Sequence, residues 1–173
     1  MKNLRQLPIF ILIICFMSCS SDDDGENTSP LNEDPGVSAT IDGGTYNNYS
    51  FNDGISQIIT GTNNTLSIEA SDTSGEQITL FLNSTGGFDS GTVKTMGDVD
   101  SNNSVTYALI RQSNPQTSYY STTGNVTITE NRTHPTEAGI RLLSGTFNIS
   151  ASTINGENST TLGGSFTELE YED

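Results

Sequence analysis

The sequence predicts an all-β protein, an antiparallel β-sandwich of immunoglobulin-like or jelly-roll-like type with about nine or ten strands. Three observations predict it. Apolar residues alternate with Ser, Thr or Asn in one segment after another, the period-two pattern of strands with one face buried and one in water. Glycine- and asparagine-rich breaks separate these segments at hairpin spacing. No long stretch carries a helical period. A barrel would show the same pattern as a sandwich, and a sandwich is the expectation taken.

The chain opens differently. Lys2 and Arg5 precede an apolar run from Ile9 to Met17, which is too short to cross a bilayer as a permanent helix and has the form of a secretory signal. Phe16-Met17-Ser18-Cys19 ends that run and resembles the lipobox of bacterial lipoproteins, with Phe16 where Leu is usual. The resemblance implies a signal peptide over residues 1–18, cleavage before Cys19, and palmitate-type acyl chains on the Cys19 residue that becomes the first. Two or three such chains anchor a protein durably, because each buried CH₂ contributes about 0.8 kcal/mol. The competing readings are an uncleaved signal anchor and a secreted protein with a chance cysteine. Cleavage would also remove Cys15 and leave no free thiol for a disulfide, a metal site or a nucleophile.

Residues 19–36 read as a tether. Ser20-Ser21-Asp22-Asp23-Asp24-Gly25-Glu26 and the polar residues that follow hold too little apolar surface to offset the entropy of ordering, so a disordered spacer is expected. The acidic run directly after Cys19 is similar to the export signal that sends Bacteroidota lipoproteins to the outer face of the outer membrane. That resemblance implies a surface-exposed anchor. A solvated acidic linker facing the periplasm is the alternative.

Residues 37–173 hold 41 apolar residues and an equal 41 Ser plus Thr. Taken in order, the expected strands are Val37 to Ile41, Ile55 to Thr60, Thr65 to Ala70, Gln77 to Leu82, Val105 to Arg111, and Tyr119 to Thr122. Segments around Val126 to Thr129, Phe147 to Ser152 and Thr161 to Leu169 complete the set. Turns are expected at Asp42-Gly43-Gly44, Asn63-Asn64, Ser74-Gly75, Gly86-Gly87, Asn102-Asn103, Gly124-Asn125 and Asn155-Gly156, where positive-φ residues are available. Ile78 to Leu82 and Tyr107 to Ile110 are the most continuously apolar runs, so central strands covered on both faces are expected there.

Gly124-Asn125-Val126-Thr127-Ile128-Thr129, Ser144-Gly145-Thr146-Phe147 and Gly163-Gly164-Ser165-Phe166 resemble the closing motifs of small Bacteroidota outer-membrane lipoproteins of unknown function. Val37 to Tyr46, with Asp42-Gly43 between apolar residues, is similar to their opening strand. The resemblance implies a β-sandwich and an outer-membrane location. It brings no substrate and no catalytic residue.

A net charge of −15, or −17 once four basic residues face 21 carboxylates after cleavage, excludes sequence-independent nucleic-acid binding. His134 stands alone, without the second imidazole of a zinc-protease helix or a cysteine partner, and reads as a loop residue. Gly163 to Thr167 falls short of a nucleophile elbow. Asp98, Asp100 and Asn102 place oxygen ligands at alternate positions as the start of a calcium loop does, but the turn glycine and closing glutamate are missing and a hairpin loop is the better reading. Glu168, Glu170 and Glu172 alternate with Leu169 and Tyr171; paired carboxylates hydrolyse glycosides when set in a cleft, whereas a charged, solvated edge is the simpler account. Tyr119 and Tyr120, with Tyr46 and Tyr49 elsewhere, could stack on sugar rings while neighbouring Asn and Thr hold hydroxyls; core packing competes with that reading.

The expectation is a lipid-anchored cell-surface protein that binds a glycan or protein ligand or serves a structural role. No catalysis, cofactor or nucleic-acid partner is expected. A carboxylate-dependent polysaccharide hydrolase is the alternative.

Overall fold

A computed structural model describes residues 34–173. The expected signal segment, Cys19 and the tether as far as residue 33 lie outside the described residues. Nine strands follow in order: β1 (Gly36–Gly43), β2 (Tyr46–Thr60), β3 (Leu66–Asp72), β4 (Gln77–Leu82), β5 (Val93–Thr95), β6 (Tyr107–Gln112), β7 (Thr117–Thr133), β8 (Ile140–Ser152) and β9 (Ser159–Glu172). All pairings are antiparallel, and the all-β class holds. The sandwich does not. Eight strands run β1-β2-β3-β4-β6-β7-β8-β9 and β9 returns to β1, closing an up-and-down barrel, with β5 lying beside β7 as a ninth strand.

The correction has a local cause in β7. The break expected at Gly124-Asn125 does not form; Gly124 sits inside β7 at φ 117, and two expected strands become one of 17 residues. This strand is long enough to change partners. Its residues 117–120 pair with β6 and 125–127 with β5, while β8 follows its other side from Tyr120 to Thr133. Register shifts at Ser121/Thr123, Ile128/Glu130 and Leu143/Gly145 add the curvature that closure needs. Glycine permits the tightest approaches. A Cβ on Gly164 would run into the Ser38 carbonyl oxygen and lie 2.7 Å from Ala39 Cα. Closure leaves no open sheet edge along the fully paired strands.

An eight-stranded barrel has an interior just wide enough for side chains, and here it is filled. Ile41, Phe51, Leu80, Ile110, Ile149 and Phe166 lie within a continuous buried cluster. At the upper end, where the β1–β2, β3–β4, β6–β7 and β8–β9 turns gather, the core gives way to hydrogen bonds. The Tyr46 phenol donates to Glu76 at 2.6 Å, Glu76 accepts the Ser113 amide and hydroxyl at 3.2 and 3.1 Å, and Thr45 bonds the Tyr119 hydroxyl at 2.7 Å and Gln112. At the lower end, residues 83–106 between β4 and β6 complete the wall and carry β5.

Ile78 to Leu82 and Tyr107 to Ile110 are not covered on both faces as the sequence predicts. Ile78, Leu80, Leu82, Ala108 and Ile110 fill the barrel. Their alternates point outward, where no second layer meets them.

Candidate functional site

The outward residues of β4 and β6 assemble a face. Phe81 and Tyr107 are register partners, and their rings stack with centroids 5.2 Å apart and planes 15° from parallel. One step up β6, Leu109 has Thr79 on one side and Tyr120 on the other. Tyr107 is 40% exposed and Tyr120 48%. A further step places the exposed Arg111 between Gln77 and Ser118. Tyr107 to Arg111 spans about 13 Å at the ordinary rise of a strand. On β3, Ser67 and Glu69 border the same face as partners of Phe81 and Thr79. A depression of about 270 Å³ lies along β3, β4 and β6, and another of about 510 Å³ opens toward the β6–β7 turn; Gln77 and Arg111 line both.

Charge on this face is uneven. Glu69 accepts from Gln57 Nε2 at 3.2 Å and Ser67 Oγ at 3.4 Å. The Arg111 side chain has no hydrogen-bond or ion-pair partner among the described residues. Arg132 and Arg141 are engaged by carboxylates, and Lys94 is buried.

A family model described as a domain of unknown function, DUF6252, matches residues 34–169. The chain belongs to this family. The matched stretch starts just ahead of β1 and ends within β9, so the DUF6252 domain and the barrel coincide. Neither curated proteins nor solved structures give a significant match.

Tyr119 and Tyr120, paired in sequence, are separated by the pleat of β7. In this DUF6252 barrel Tyr119 is fully buried, with its hydroxyl on Thr45. Tyr120 stands outside, grouped with Leu109 and Tyr107. The other candidate tyrosines belong to the upper end. Burial, then the hydrogen bond from Tyr46 to Glu76 and that carboxylate's charge, holds the Tyr46 phenol well above its usual range. Tyr49 is raised by burial and by donating to Asp72. Sequence reasoning missed Phe81, Tyr107 and Arg111. Phe81 and Tyr107 had a signal in the nearly continuous apolar runs of β4 and β6, whose alternate residues face outward in a barrel; Arg111 had none.

The remaining candidates take local roles. Asp100 accepts the amides of Asn102 and Ser104 at 2.8 and 2.9 Å and the Ser84 hydroxyl at 3.0 Å. The Ser104 amide foremost holds its carboxyl below the usual range. Asp98 and Asn102 add no side-chain ligand to it, and no group of three or more metal-binding side chains occurs among the described residues. Glu168 pairs with Arg132, Glu170 lies 3.6 Å from His134 Nε2, and Glu172 is exposed. Glu168 and Glu170 border a shallow depression against Gln57 and Ile58. His134 Nδ1 accepts the Glu137 amide at 3.0 Å and caps the β7–β8 turn. Gly163 and Gly164 are strand residues of β9.

Lys94 was not anticipated. It points inward from β5 at 2% exposure, donates to the carbonyls of Asn83 and Thr85 at 2.9 and 2.5 Å, and lies 4.2 Å from the Phe88 ring centroid. Burial pushes its amine down to about 8, against a smaller upward pull from Asp100.

Proposed function

We propose that this DUF6252 protein is a non-catalytic binding module, held by acyl chains on Cys19 at the outer membrane and facing the cell exterior. The observation that carries the binding half is the outer wall of β4, β6 and β7, where Tyr107 and Tyr120 are exposed beside the half-buried Phe81 and Leu109, without a covering layer. Exposed large apolar groups gathered on one face mark interaction sites. Because the interior is packed, a ligand has the outer wall and the ends to bind. β6 lies across the barrel from β1.

Glycan is the ligand this face suits best. Aromatic rings supply flat apolar surface, and Gln77, Thr79 and Ser118 supply hydroxyl-binding groups at its margin. The main chain of β4 is paired on both sides here, and that of β6 is paired on both sides from Leu109 to Arg111, so a peptide strand could not add to it there. Against the hydrolase alternative, Glu168 is engaged by Arg132 and Glu170 lies beside the His134 ring, an arrangement suited to tying β7 to β9.

Cells displaying the full chain, probed with a library of labelled oligosaccharides, test both halves at once. Binding should appear on wild-type cells and disappear with Tyr107→Ala. With Cys19→Ala it should move from the cells to the released chain. Binding unaffected by Tyr107→Ala and Tyr120→Ala overturns the face; retention of the Cys19→Ala chain on the membrane overturns the anchor.

A further inference from the structure

Resting on that binding reading, we infer that the ligand is an acidic oligosaccharide whose uronic-acid carboxylate is held by Arg111. The chain places sixteen carboxylates in residues 34–173 and four basic residues. Three of the four are committed: Lys94 to two main-chain carbonyls, Arg132 to Glu168 and Glu130, Arg141 to Asn131 and Asp173. With that surplus of anions, an arginine left unpaired is the exception. Among the described residues the Arg111 side chain is that exception, and it stands at the upper margin of the aromatic face.

Its neighbours leave the fork open. Gln77 and Ser118 flank it in register, and both are neutral. Glu69, a carboxylate on the same outward face, is two strands away and accepts from Gln57 and Ser67. Glu76 and Asp72 are tied to phenols at the upper end. A planar guanidinium matches a carboxylate through two parallel hydrogen bonds, a geometry that an ammonium cannot reproduce. The adjoining 270 Å³ depression runs from Arg111 past Leu109 to Tyr107, so a sugar chain anchored by its carboxylate would lay further rings toward the aromatic pair. The length of that column suits a short oligosaccharide rather than one ring.

The test compares uronate-containing oligosaccharides with neutral and sulfated ones of equal length, using the full chain and the variants Arg111→Met, Arg111→Lys and Tyr107→Ala. The expected result is uronate binding that weakens about tenfold or more in Arg111→Met, recovers only in part in Arg111→Lys, and falls as salt is raised. Thermal unfolding of each variant checks that the barrel is intact. Neutral glycans binding equally to wild type and Arg111→Met, with loss in Tyr107→Ala, overturn the acidic ligand and leave the face standing. Preference for sulfated over uronate ligands also overturns it. No binding by any of the three classes removes this inference and the glycan reading together.

Discussion

Glu76 and Lys94 close opposite ends of one barrel with opposite charges, and neither forms an ion pair among the described residues. The anion is served by donors from two other places in the chain: the Tyr46 phenol at the start of β2, and the amide and hydroxyl of Ser113 beyond β6. The cation is served within its own segment, by two carbonyls of residues 83–85 and the ring of Phe88. A buried charge satisfied by neutral dipoles is tolerated when its hydrogen bonds are complete. What differs is what else the charge holds in place. Glu76 ties three hairpins together, whereas Lys94 folds one segment onto the barrel's lower wall.

Removing Glu76 should therefore have the larger effect. Glu76→Leu leaves the buried Tyr46 hydroxyl without an acceptor and frees the β6–β7 turn from the β3–β4 turn, costing about 2–4 kcal/mol of unfolding free energy in urea titrations. Glu76→Gln keeps an acceptor oxygen and should cost less than half as much. Equal losses for the two would mean that charge rather than hydrogen bonding closes this end. No loss for Glu76→Leu would break the comparison outright.

The next effect is read with pH. Lys94 binds its proton less tightly in the folded barrel, at about 8, than in the unfolded chain at about 10.5. Between those values the unfolded state holds more protons, so stability rises with pH, by up to about 3 kcal/mol across the window. At the other end Tyr46 is shifted upward. The folded barrel keeps that proton while an unfolded tyrosine releases it near pH 10, so stability falls above pH 10. Unfolding free energy should peak close to pH 10. Lys94→Met should flatten the rising limb and leave the falling one, and Tyr46→Phe should do the reverse. A wild-type profile that is level from pH 8 to 10 would show that the Lys94 amine is hydrated.

The strands were legible in the sequence because alternation is a property of each strand alone. β4 matches its expected span, and β1, β3 and β6 lie within a residue or two of theirs. How the sheet closes is a property of pairing between distant segments, and alternation reads the same in a sandwich and in a barrel. Gly124 looked like a turn and proved to be a strand residue, so β7 was read as two strands. The site followed the same pattern. Tyr120 was found because it is aromatic and beside a loop. Tyr107 and Phe81 were hidden because an unbroken apolar run reads as buried in a sandwich, while in a barrel half of it faces outward. Arg111 showed nothing until the partners of every other cation were known.

The smallest effect is expected on the outer wall, where charge does meet charge. Arg132 on β7 reaches Glu168 on β9 and lies 3.4 Å from Glu130. These groups are partly exposed, so water and salt screen them, and exposed pairs contribute about 0–1 kcal/mol. Yet Leu142, the register partner of Arg132, is only 6% exposed although it faces outward and stands apart from the interior cluster. The aliphatic stem of Arg132 has to cross β8 at Leu142 to reach β9, and a stem lying on an apolar side chain contributes through contact rather than charge. Arg132→Met keeps a stem and removes the charge, while Arg132→Ala removes both. Met should cost under about 0.5 kcal/mol and Ala about 1 kcal/mol, with only the wild type losing stability when salt is raised. If Met is as costly as Ala and the loss disappears at high salt, ion pairing holds the wall, and the contrast between charged ends and an apolar wall fails.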